Sequence, residues 1–259
     1  MKLLVIGASG HLGGEVARHA SGFEVVGASR STGLDVRDQL AVHQYLQRVR
    51  PAAVINSAYQ RGSWSAMADG AANVAAAAAA VGARLVHVSS DAVHSGQPEW
   101  YTEADEPNPI TPYGAAKAAA ETAVAAIDPS AAIVRTSLIL GDENSAHLRF
   151  VLDLLRGTPG ALFDDEIRCP IDGGDLAGAI VELVGNDYAG VINIAGPEAV
   201  SRPEFGRLVA ARHGLSAAAL RTCKIADSGM TRPGDVKLDS SRACGFLRTR
   251  IRGVREVLY

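Results

Sequence analysis

A chain of 259 residues, 47% of them hydrophobic and with a formal net charge of −3, has room for one large α/β domain or for one such domain with a small lobe. No basic stretch or block of like charge points to nucleic acid or a membrane surface, no apolar run is long enough to cross a bilayer, and the short N-terminal apolar run lacks a signal-peptide cleavage pattern. The three cysteines, Cys169, Cys223 and Cys244, are too scattered for a disulfide framework or a zinc site, so a reduced, cytoplasmic setting is expected.

Residues 3–6 read as a short buried strand that stops at Gly7, and a helical pattern begins near His11. Gly7, Gly10 and Gly13 are spaced G-x-x-G-x-x-G. Glycines permit a tight strand-to-helix turn and let a pyrophosphate approach backbone amides at a helix N-terminus. The spacing alone also fits an ordinary tight turn; its place between strand and helix in a βαβ pattern favours a dinucleotide. Gly7, Ser9, Gly10, His11, Leu12 and Gly13 are therefore candidate cofactor-binding residues, His11 as the first helical residue rather than as a chemical group. Residues 23–28 read as a second strand, 43–49 as a helix, 53–55 as a third strand and 66–81 as an Ala-rich helix packed on a sheet. Residues 85–88 are a fourth strand. Thr111-Pro112 reads as an N-cap with Pro at the first helical position, opening a helix to about Ile127. Residues 132–134 are a fifth strand. This alternation predicts a doubly wound, Rossmann-type parallel sheet.

Beyond it, helical patterns cover 148–155, 176–184 and 203–213, with Asp175 as a candidate cap of the second, and 191–194 reads as a late strand. Residues 157–160 and 232–235 read as loops. The expected division is a dinucleotide-binding domain over 1–140 and a mainly substrate-binding lobe over 141–259, set over the carboxyl edge of the sheet.

Near the end of the second strand, an acidic residue suits ribose hydroxyls and an Arg suits a 2′-phosphate. Ser29, Arg30 and Ser31 occupy that place, and Arg30 offers a planar fork. NADPH is the expected cofactor, with NADH the alternative; Asp35 and Val36 are placed beside the adenine. Two stretches carry chemistry. Ser89-Ser90-Asp91 follows the fourth strand, and Tyr113 and Lys117 lie four apart on one face of the next helix. A nearby ammonium favours the phenolate, so Tyr113 can donate or accept a proton while Ser90 polarises a carbonyl. A lone Tyr-x-x-x-Lys is common on amphipathic helices; the order glycine turn, Ser, Tyr, Lys is specific.

With these residues in place, the chain resembles the extended short-chain dehydrogenase/reductases, and within them the dTDP-4-dehydrorhamnose reductase family. Ile55-Asn56-Ser57-Ala58-Tyr59 resembles that family's Asn-Ala-Ala-Ala-Tyr stretch. Val86-His87-Val88-Ser89-Ser90-Asp91-Ala92-Val93-His94-Ser95-Gly96 resembles its His-Ile-Ser-Thr-Asp-Tyr-Val-Phe-Asp-Gly stretch. Tyr101-Thr102-Glu103-Ala104-Asp105, Pro109 and Tyr113-Gly114 keep its order, and Arg135-Thr136-Ser137, Asp175-Leu176-Ala177 and Arg232-Pro233 fall in family-like places. The resemblance implies NAD(P)H-dependent reduction of a 4-keto group on a nucleotide-linked 6-deoxy sugar, with Ser90, Tyr113 and Lys117 catalytic and Asp91 beside them. It implies Ser57, Ala58 and Tyr59 at the cofactor, and Ser90, Val93, His94, Leu138 and Arg232 at the substrate, Arg232 on its diphosphate. The partner implied is a nucleotide sugar; a homodimer is left open, since the acidic residues tied to metal or dimer contacts in some members are replaced here, and composition points to no nucleic acid and no membrane. Leu138 replaces a usual aromatic, Ala92 and His94 replace Tyr and Phe, and Gln60-Arg61-Gly62-Ser63-Trp64 replaces acidic residues, so the ketone substrate is expected to differ in detail.

Two other readings fit the same residues. One is a sugar-nucleotide epimerase or dehydratase; dehydratases place an Asp-Glu pair after the catalytic hydroxyl, whereas Ser90-Asp91-Ala92 lacks the Glu. The other is a regulatory subunit that binds NADP without turnover, against which Ser90, Tyr113 and Lys117 stand intact. Trp64 is expected in a core, with stacking on a base or sugar as the alternative, Asn73 as a clasp on backbone polar groups, and 164–166 as a solvated acidic turn without a metal.

Overall fold

The computed structural model describes residues 1–97, 99–141 and 145–259. Six parallel strands form the main sheet: β1 (Lys2–Ile6), β2 (Glu24–Ala28), β3 (Ala53–Asn56), β4 (Arg84–Val88), β5 (Ala132–Arg135) and β6 (Gly190–Asn193). Their order is β6-β5-β4-β3-β1-β2. Seven helices matter for the site: α1 (His11–His19), α2 (Gln39–Val49), α3 (Gly70–Val81), α4 (Pro112–Ile127), α5 (Ala146–Leu155), α6 (Gly173–Val184) and α7 (Arg202–Arg212). Side chains of a strand alternate between faces. Leu3 and Val5 enter one core with Val16 of α1 and Leu176 and Ile180 of α6. Leu4 and Ile6 enter the opposite core with Leu46 of α2, Val74 of α3 and Val124 of α4. Covering both faces with helices is what makes an all-parallel sheet stable, and it explains why its strands read as continuous apolar runs.

The winding reverses between β1 and β3, the place where open α/β sheets bind ligands beyond their carboxyl ends. A further core under α5 and α7, built on Val151, Leu162, Phe205 and Val209, stands apart from the two sheet cores. No helix among the described residues is long and apolar enough to cross a membrane.

Three expectations are corrected. Helix α2 starts at Gln39 rather than 43, because Asp38 caps it by accepting the Ala41 N–H at 2.9 Å. The cap of α6 is Asp172, which accepts from the Gly174 and Asp175 amides at 3.0 and 3.1 Å; Asp175 instead takes the Arg252 guanidinium. Trp64 is half exposed rather than in a core. Asn73 does clasp backbone, donating to the Val36 carbonyl at 2.9 Å.

Asp172 also meets Arg252 Nη2 at 2.9 Å, so it ties the start of α6 to the C-terminal segment. Asp172→Ala should lower unfolding stability by about 1–2 kcal/mol, with Asp172→Asn recovering most of that because the amide oxygen still caps. Urea denaturation of the two variants checks this.

Candidate active site

The glycine turn is shaped by backbone approach. Gly7 has φ +89°, and a Cβ there would lie 2.8 Å from the Ser57 carbonyl carbon, so only glycine lets the turn close on β3. A Cβ on Gly13 would lie 2.2 Å from the Gly7 oxygen. Gly10, the N-cap of α1, has no side chain to offer the first helical amides, which leaves them to an anion. Ser9 is exposed beside them. Leu12 is buried in the sheet core, so it contributes its backbone, and the His11 ring leans away to Leu140 O at 3.3 Å.

Across the switch point, Ser57 Oγ donates to Ile6 O at 2.9 Å and the Ala58 N–H donates to Asn56 Oδ1 at 3.2 Å. The second Asn56 atom, Nδ2, then faces His87 Nδ1 at 3.3 Å, so Nδ1 accepts and the proton sits on Nε2. Burial and the nearby Lys117 hold the His87 pKa well below its usual value. After β2, Ser29 Oγ is bonded to Ser31 Oγ at 2.7 Å and shapes its own turn. Arg30 is exposed, donating to Gln60 Oε1 at 3.2 Å. Asp35 is gripped by Arg37, whose bonds hold its carboxyl at about 2, and Val36 packs into the core against Gly70. Uncapped amides at a glycine turn and an exposed guanidinium at the end of β2 fit a dinucleotide carrying a 2′-phosphate.

The residues expected to do chemistry meet beyond β4. Ser90 caps a short turn, Asp91–Val93, by accepting the Ala92 N–H at 3.2 Å, and donates its own proton to Asp91 Oδ1 at 3.2 Å. Thr111 Oγ1 caps α4 by accepting the Gly114 N–H at 3.0 Å, with Pro112 following it, as the sequence predicts. A Cβ on Gly114 would lie 2.0 Å from Ala92 O, so glycine brings α4 onto the Ser90 turn and Tyr113 beside it. The phenol is not lowered as the spacing to Lys117 suggests: burial raises Tyr113 to about 12, where the Ser90 hydroxyl pulls it down while Asp91 and Tyr59 push it up. Tyr59 is 60% exposed and meets the Tyr113 ring edge-on at 5.8 Å. One turn along, Lys117 is buried and donates to Val88 O at 2.5 Å. Burial pushes its ammonium down to about 8, against the upward pull of Glu121.

The side chains of two expected substrate residues, Val93 and His94, are fully buried. The His94 ring stacks on Tyr101 at 4.0 Å and takes an Arg135 N–H at 3.5 Å, so these side chains face the interior rather than the cleft. Leu138 is nearly buried. Arg232 gives two bonds to Glu166, at 2.9 and 3.1 Å, across the Phe163 ring. Glu166 is therefore no solvated turn: it is 1% exposed, and Arg168, Arg232 and Arg202 hold its carboxyl below its ordinary value although burial alone would push it up.

Two buried charges beside the site, Glu121 and Arg135, carry no sequence signal of their pairing. Glu121 accepts from Ser89 Oγ at 2.5 Å and from Arg135 Nη2 at 2.9 Å, all three buried. What the sequence does show is a carboxylate four residues after Lys117 on an otherwise Ala-rich helix face.

A family model described as "RmlD substrate binding domain" matches residues 1–258. A dTDP-4-dehydrorhamnose reductase of Mycolicibacterium smegmatis is 30% identical over 99% of this chain and 84% of its own length. A dTDP-4-keto-6-deoxy-D-glucose reductase of Streptomyces niveus is 34% identical over 73% of this chain and 71% of its own. Among solved structures, dTDP-4-dehydrorhamnose reductase of Bacillus anthracis in complex with NADP superposes with a TM-score of 0.89 at 26% identity, covering 99% of this chain and 96% of that one.

The turn geometry makes a direct prediction. Gly13→Ala, whose Cβ must displace Gly7, should weaken NADPH binding by roughly tenfold or more, a cost of about 1.4 kcal/mol. Gly14→Ala, where a Cβ meets only Ala8 O at 3.8 Å, should leave it unchanged. Calorimetric titration with NADPH measures both.

Proposed function

The chain belongs to the RmlD substrate binding domain family, and we propose that it reduces the 4-keto group of a dTDP-linked 6-deoxy sugar with NADPH. It is an oxidoreductase, and NADP is its cofactor. The observation that carries the reading is that Ser90, Tyr113 and Lys117 gather at the carboxyl end of β4, on the same edge of the parallel sheet as the glycine turn after β1. The turn amides would hold the pyrophosphate, Arg30 the 2′-phosphate and Lys117 the nicotinamide ribose. When bound, reduced NADP supplies the hydride.

Ser90 and Tyr113 then take the substrate carbonyl oxygen. The Ser90 proton, directed at Asp91 in the structure, turns to the substrate, while the Ala92 N–H goes on donating to the hydroxyl oxygen and keeps it in place. Tyr113 is protonated far above neutral pH, the state a proton donor for reduction needs. Its proton passes to the oxygen, and the charge left on the phenol is stabilised by the ammonium one turn away. Residues 141–259 supply most of the sugar-nucleotide contacts, with Arg232 at the diphosphate; to serve there, its guanidinium keeps one edge on Glu166. The reductase reading is favoured over a dehydratase because Ala92 stands where a dehydratase carries its Glu.

Tyr113→Phe should lower kcat by roughly a hundredfold or more while calorimetry finds NADPH affinity unchanged. A binding subunit without turnover would show no NADPH oxidation in either protein. The pH profile follows from Lys117. Its positive form is complete below about 8 and is lost as pH rises through that value, whereas the phenol keeps its proton to about 12. Reductive kcat/KM should therefore be flat near neutrality and fall above about pH 8, by roughly tenfold per unit. In Lys117→Met the activity should be low throughout and that limb absent.

A further inference from the structure

Arg168 touches both the turn that carries Ser90 and the loop that carries Arg232. It is 4% exposed. Its Nε lies 3.5 Å from Asp91 Oδ2. On the other side, Nη2 donates to Pro233 O at 2.9 Å and Nη1 donates to Gly234 O. Nη1 also donates to Ile167 O at 2.8 Å, and Glu166 stands 3.7 Å from Nη2. A planar guanidinium with five N–H groups can serve these directions at once; a lysine ammonium is a point charge and cannot.

The two segments it joins also lie against each other. Gly96 has φ +93°, and a Cβ there would lie 2.6 Å from the Gly234 nitrogen. The Gln97 N–H donates to Asp235 O at 2.8 Å. Ser137 adds a second strut: its hydroxyl donates to Asp91 Oδ2 at 2.7 Å and accepts the Cys169 N–H at 3.3 Å. Asp91 in turn takes the Ser90 proton through Oδ1.

We infer that Arg168 is a positioning residue that holds Asp91, and through it the Ser90 hydroxyl, in register with the Arg232 loop. This rests on the ketoreductase reading above and adds a connection to it. Binding of the nucleotide part at the Arg232 loop is thereby tied to the placement of the carbonyl-polarising hydroxyl. Binding energy from remote contacts can be spent on orientation at the reacting centre. Burial holds the Asp91 carboxyl above its ordinary value, and the Arg168 guanidinium opposes that rise.

The test is Arg168→Lys, which keeps the charge and loses the fork. At saturating NADPH and sugar nucleotide, kcat should fall on the order of tenfold or more, with NADPH affinity unchanged. The double variant with Asp91→Asn should fall no further than the worse single, because both act on Ser90 by one route. Ser137→Ala, which buries no new charge, should shift kcat the same way by less, and serves if Arg168→Lys does not fold. Hydrogen exchange in Arg168→Lys should speed up at the amides of both 91–97 and 233–236. The proposal is overturned if kcat stays within about twofold of wild type, if the two losses multiply, or if faster exchange is confined to one segment. Wild-type turnover is measured first. Its absence counts against the ketoreductase reading, and exchange then decides for Arg168 separately, since that readout needs no substrate.

Discussion

The site depends on how closely α4 can lie against the end of β4. Three residues of one helix face make that contact, at spacings of three and four. Gly114 has no side chain and comes down on Ala92 O, Lys117 donates to Val88 O, and Glu121 takes the Ser89 hydroxyl. Any side chain at 114 would lift the helix and carry Tyr113 away from Ser90. The Lys117 ammonium is the electrostatic cost of that closeness. A buried charge needs partners, and it has a strand carbonyl and the field of Glu121, itself paired with Arg135. The result is a lysine poised near neutrality beside a phenol that keeps its proton, which is the division of roles a carbonyl reduction asks for.

Around Ser90 the same logic repeats with carboxylates. Its two neighbours in sequence are both fixed by buried anchors, Ser89 through Glu121 to α4 and Asp91 through Ser137 and Arg168 to the segment before α6. The hydroxyl between them has little freedom other than rotation about its own bond. Preorganisation of this kind lowers a barrier because little beyond that rotation is needed when charge develops. The network is charged, not apolar, because the groups it orients are polar and a low dielectric strengthens their mutual hold.

Much of this was legible in the sequence, for physical reasons. Residues 3–6, 53–55, 85–88 and 132–134 are apolar on both faces because helices cover both sides of the sheet, so the strands announce themselves. Thr111-Pro112 marks the start of α4 because capping chemistry is local. The gathering of Ser90, Tyr113 and Lys117 at the end of β4 was legible because their order along the chain matches the fold. The residues that were not legible act across long sequence distances. Glu166 looked like part of a solvated acidic turn, since nothing local reveals that Arg168, Arg202 and Arg232 converge on it. His94 looked like a pocket residue from its place after the catalytic strand, but stacking on Tyr101 and the Arg135 contact turn its ring inward. Asp175 looked like a cap, and the closer carboxylate of Asp172 took that role while Arg252 claimed Asp175.

The most direct test of the central claim follows the hydrogen itself. The protein is incubated with NADPH deuterated at C4 of the nicotinamide and a dTDP-4-keto-6-deoxy sugar, and the product is read by mass spectrometry and proton NMR. The expected product is a reduced sugar nucleotide with one deuterium on C4 of the sugar. A protein that binds NADPH but leaves the ketone untouched, or a product with deuterium at another carbon, would contradict it.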